Sequence, residues 1–119
     1  MQKPVLSFYG DKMYADLMKL RDQIAEELDG AKQYIQYAIE KKTSAPAWAK
    51  TFVDMSSAEL GHAANLFRMF EECYQSMIKL DEKSVPYKEF LNLIHYQTSD
   101  SYMERSAEIK YMHDMYGKT

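Results

Sequence analysis

Residues 58–67 read AELGHAANLF, and their one glutamate and one histidine, Glu59 and His62, stand three positions apart. On an α-helix that spacing puts both side chains on one face. The flanking residues show that a helix carries them. Apolar residues recur in steps of three and four through Phe52, Met55, Leu66, Met69 and Cys73, the spacing of a helical seam rather than the alternation of a strand. Glu59 and His62 fill two consecutive places in that seam, so ionisable groups interrupt it at one level only. Upstream the pattern repeats. The stretch EELDGAKQY, residues 26–34, belongs to a seam of Leu17, Leu20, Ile24, Ala31, Tyr34 and Ala38, and Glu27 stands between Ile24 and Ala31.

Working outward, an N-terminal arm over residues 1–10 is followed by three helical stretches, with no internal repeat, linker or low-complexity run. Asp11 suits the cap of the first, which runs without proline over 11–42 and is broken in pattern only by Gly30. KKTSAP ends it. Ser44 can cap a second stretch over 45–80, with Pro46 tolerated in the first turn, and Ser84 with Pro86 repeats that signal for a third over 85–117. The small polar run around Thr98 to Asp100 competes for backbone hydrogen bonds and invites a break there. The expectation is a single all-α domain, 1–119.

A chain of 119 residues buries only about two-thirds of its unfolded surface alone, so association would stabilise it. Four Gly and three Pro leave few places to turn, which favours a few long elements. The net charge of −3 comes from interspersed signs, without the clustered Lys and Arg that nucleic acid requires. The single cysteine, Cys73, excludes an internal disulfide and every multi-cysteine zinc pattern. No uncharged run approaches membrane-spanning length and no signal peptide is visible, so a cytoplasmic protein with no membrane partner is expected.

The connection between the first two helices is centred near Thr43 and Ser44, short enough to make them pack antiparallel. Glu27 lies about 16 residues before it and Glu59 and His62 about 15 to 19 after it, so at about 1.5 Å per residue the three stand at nearly one height. Carboxylates with a neutral imidazole and no thiolate suit iron or manganese, and a Glu-x-x-His unit facing a glutamate on a neighbouring helix is the arrangement of di-metal carboxylate bundles. Such a site takes four carboxylates and two histidines. One hairpin supplies half, and a two-fold homodimer or a higher homo-oligomer would deliver the rest, with two iron ions per shared site. An isolated carboxylate in an apolar seam costs several kcal/mol, so these groups must be protonated, paired or metal-bound. Neither seam has a Lys or Arg at that level, although Lys32 or Lys50 reaching in would give a plain buried polar cluster instead.

These motifs resemble the ferritin-like superfamily, specifically rubrerythrins and the short encapsulated ferritins. EELDGAKQY puts Glu27 at the family's metal-ligand position with Tyr34 seven residues on, and AELGHAANLF matches its Glu-x-x-His at Glu59 and His62. The resemblance implies a ferritin-like antiparallel hairpin plus a third helix, a four-helix di-iron bundle completed by dimerisation, and an activity that oxidises Fe(II) with O2 or peroxide. It differs from rubrerythrins in lacking a fourth helix with a second Glu-x-x-His. The third helix offers AEIKYMHDMY (107–116), similar to a rubrerythrin third-helix segment with Glu108 at the ligand position but Tyr111 where a further carboxylate stands in the family. MHDMYGKT is not similar to the encapsulated ferritins' targeting tail, so a shell partner is not supported.

By spacing alone, Glu108 and Glu104 lie beside the third helix's apolar line of Leu91, Ile94, Tyr102, Ile109, Met112 and Tyr116, where a solvated face competes with metal ligation. Tyr34 can donate to a ligand carboxylate, carry an electron or simply pack. His95 and His113 are expected at the surface or an interface, Cys73 as buried packing and Trp48 closing the hairpin end. The expectation is an oxidase built on Glu27, Glu59, His62 and Tyr34. The rival is a helical scaffold or interaction protein without redox activity.

Overall fold

Three long helices, α1 (Phe8–Lys41), α2 (Pro46–Leu80) and α3 (Val85–Lys118), make up a computed structural model that describes residues 8–80 and 85–118. The described residues contain no strand. Most of the N-terminal arm and the cap residue Ser84 lie outside them. α1 begins three residues before Asp11 and continues through Gly30 with ordinary helical backbone. At the turn, the Ala45 N–H donates to Lys41 C=O at 2.8 Å and the Ala45 C=O accepts from Ala49 N–H at 3.0 Å. Ala45, not Ser44, therefore stands at the α2 cap, and Pro46 takes the next position, where its missing N–H leaves no bond unmade. α3 is continuous past Thr98, which is only 7% exposed and packs inward. Tertiary packing outweighs the local competition that favoured a break.

The core is built from Leu17, Ile24, Leu28, Ala31, Ile35 and Ala38 of α1 against a row of α2 that repeats every seven residues: Ala49, Ser56, Ala63, Phe70 and Met77. Burying a side chain such as Phe70 contributes roughly 1.5–3 kcal/mol. The small residues of that row let the two backbones approach, and the Ser56 hydroxyl donates to Ala31 C=O at 2.6 Å. This row is one residue further along, about 100° around α2, from the seam through Met55, His62 and Met69 expected from sequence. Met55 and Met69 are 38% and 44% exposed, so that seam lies at the hairpin's edge rather than inside the monomer.

α3 covers the other side of the hairpin. Leu91, Ile94 and Ile109 are buried, with Tyr102, Met112 and Tyr116 packed around them. It runs parallel to α1 in fixed register: Tyr14 meets Phe90, Asp29 pairs with Arg105 and Lys32 pairs with Glu108, each across 76 positions. Phe67 stacks on Tyr102 with centroids 4.4 Å apart, and Tyr74 stacks on His95 at 4.0 Å. No described helix is long and apolar enough to cross a membrane.

Candidate metal centre

The equal counts on either side of the turn bring Glu27 of α1 to the height of Glu59 and His62 on α2. One donor atom from each lies within 4.8 Å of the others, the only such group among the described residues. His62 Nδ1 stands 3.5 Å from Glu27 Oε2 and 3.8 Å from Glu59 Oε1. The carboxylates are 27% exposed and the imidazole 59%, so the triad opens outward on the α1–α2 edge.

Gly30 makes the room. A Cβ there would lie 3.1 Å from Glu59 Oε2, closer than side chains normally tolerate, so the bare helix backbone cradles that carboxylate. Glu27 Oε2 is buried with no hydrogen-bond partner. Glu59 is held protonated to higher pH than an ordinary carboxyl, first by a hydrogen bond shared with Glu27, then by burial and by the repulsion of Glu27, with His62 opposing. A buried acceptor without a donor, two crowded carboxylates and an imidazole form a donor set that fits a first-row divalent ion such as iron or manganese.

The other candidates are elsewhere. Glu108 pairs with Lys32 at 2.8 Å on the α1–α3 edge, which also engages a cation that the sequence offered to neutralise the triad. Lys50 is exposed. Tyr34 is half-buried and stacks on Phe52, ring centroids 6.2 Å apart. Cys73 is partly buried, its thiol donating to Met13 C=O at 3.3 Å and pushed up in pKa by burial and by Asp16. His95 and His113 are half-buried, each bonded across helices of its own chain. His95 lies 2.6 Å from Glu71 Oε1. Trp48, expected to close the hairpin end, is 66% exposed.

Sequence reasoning missed Ser56 and His113. With the Ser56 proton donated to Ala31, its oxygen accepts from His113 Nε2 at 2.9 Å, tying α3 to both helices one turn from the triad. Burial lowers the His113 pKa and Asp114 partly opposes it. Nothing local marks this pair. The family model of rubrerythrin matches residues 19–119.

The chain belongs to the rubrerythrin family. Rubrerythrins are ferritin-like di-iron proteins, so membership carries iron binding in general. The match spans the triad and all of α2 and α3. No curated protein and no solved structure matches the chain significantly.

Proposed function

We propose that two copies of this rubrerythrin-family chain join their Glu27, Glu59 and His62 triads into one di-iron centre that oxidises Fe(II) with O2 or peroxide. The observation that carries the reading is the convergence of three donor atoms on an open edge, half of the ligand complement of a di-iron carboxylate bundle. The apolar side chains above and below it, Met55 and Met69, are exposed in one copy and would be covered by a second.

When bound, the iron pair supplies electrons to the oxidant. The chain's residues supply the rest. Glu59, with one oxygen beside Gly30 and the other toward His62, would be the carboxylate shared between the half-sites. Because the hydrogen bond with Glu27 and burial raise its pKa, a metal would compete there with a proton over a higher pH range than at an ordinary carboxylate, and binding within that range should release protons. Glu27 brings a buried oxygen that no hydrogen bond satisfies, and His62, its Nδ1 turned toward both carboxylates, would close the outer side. Manganese is accommodated by the same donors. Tyr34, on the same α1 face, is the candidate redox side chain.

The test is iron content together with mass in solution. A dimer with one iron per chain is expected. A monomer with full occupancy would refute the shared centre, and protein that retains no iron after anaerobic loading would refute the oxidase and leave the scaffold reading.

A further inference from the structure

The α2 row that carries Glu59 and His62 continues in both directions at the same spacing, through Met55 and Trp48 on one side and Leu66 and Cys73 on the other. Its positions are symmetric about the Leu60–Gly61 bond. Trp48 and Cys73 are therefore equally far from the metal level, about 19 Å along the helix.

The two arms differ in relief. At Trp48 the surface protrudes, because the chain's only indole is 66% exposed. Around Cys73 it is hollow. A shallow groove, open to solvent, runs between α1 and α2 there, with Leu20, Met69 and Cys73 at its apolar floor and Asp16, Lys19, Gln23 and Glu72 along its polar rim.

We propose that Trp48 of one copy seats in the groove beside Cys73 of a second copy, and reciprocally, so that two indoles anchor the dimer on either side of the metal level. The inference rests on the shared centre proposed above. A two-fold axis perpendicular to α2 through the triad lays each arm on the other copy's opposite arm, and projection meets hollow twice. An axis parallel to the helices would instead set Trp48 against Trp48 and groove against groove, burying neither well. The chemistry agrees with the first arrangement. A buried indole N–H needs an acceptor, and the Asp16 carboxylate and Gln23 amide oxygen on the groove rim offer one. Interface residues that carry most of the binding energy are enriched in tryptophan and cluster in well-packed pockets.

The lone cysteine provides a direct test. In Trp48→Cys, the two thiols of one chain lie about 37 Å apart on a single helix and cannot join. With Mn(II) added to drive association, a thiol-specific oxidant is expected to give a covalent dimer whose peptide map links position 48 to position 73. Separately, wild-type tryptophan emission should shift to the blue and lose quencher access as the dimer forms. Trp48→Ala should weaken dimerisation about 100-fold, since one substitution removes two anchors each carrying about tenfold or more. A dimer that links only like positions, or whose indole stays as accessible as in the monomer, overturns this inference and leaves the shared centre standing. A chain that remains monomeric with metal bound overturns both.

Discussion

Gly30→Ala should make the metal-free protein more stable and the iron-loaded protein weaker. Gly30 is interior to α1 with helical backbone, so alanine is expected to gain about 0.8–1 kcal/mol of helix propensity. In a domain of this size that raises Tm by about 3–6 °C. The added Cβ would sit 3.1 Å from Glu59 Oε2, where ordinary contact begins at 3.4 Å, so the carboxylate must retreat by a few tenths of an ångström. The end of a glutamate side chain moves that far cheaply, which leaves the propensity gain nearly intact. A metal site does not share this tolerance, since ligand distances are held to within about 0.2 Å. Both halves of a two-fold centre would be disturbed, and Fe(II) affinity should fall about tenfold or more, as it does when residues that orient metal ligands are changed. Calorimetry of the chelated protein and anaerobic Fe(II) titration measure the two effects. An unchanged iron affinity alongside a raised Tm would refute the role of Gly30 in placing Glu59, and a lowered Tm would show that the contact is rigid.

Glu59→Ala and His62→Ala should each abolish iron binding with helical content kept, since each removes a ligand from both halves of the centre; iron content by elemental analysis and far-UV circular dichroism decide it. Ser56→Ala should cost about 1 kcal/mol in urea unfolding, because it removes the bond that Ser56 accepts from half-buried His113. Folded His113 binds its proton less tightly than the ordinary 6.5, so its contribution to stability is present above that pH and lost as the pH falls through the lower folded value. Glu59 acts in the opposite sense: its contribution is present below 4.5 and lost as the pH rises through its raised folded value. Metal-free His113→Gln should therefore show stability falling as the pH rises above about 4.5, and Glu59→Gln stability rising toward about 6.5. Parallel profiles for the two variants would remove both assignments.

The triad was legible from the sequence because its signal is local. Glu59 and His62 share a helix face by spacing, and Glu27 reaches them through one short turn. The rotation of α2 was not legible. Three of the five α2 residues that pack against α1, Ala49, Ser56 and Ala63, have small or polar side chains that leave little trace in a hydrophobic pattern, while the bulkier Met55 and Met69 stand at the edge and draw the eye. The Ser56–His113 bond joins positions 57 apart, and the docking of α3 alone makes them neighbours. Glu108 stood at a ligand position by resemblance alone, its own spacing placing it beside the apolar line, and the register of α3 on α1 that pairs it with Lys32 is a tertiary fact. The continuity of α3 through Thr98 was likewise decided by burial between helices rather than by local propensity.

The outward opening of the triad changes what an affinity constant means for this molecule. His62 is 59% exposed on this edge, so if two copies share the centre as proposed, an ion held by two such edges would link two chains and be itself a ligand of the association equilibrium. Iron occupancy would then depend on the concentration of chains as well as of metal. Dilution would release the ion without any competitor, and a cell making more of the protein would tighten its grip on iron more than in proportion to the number of sites added.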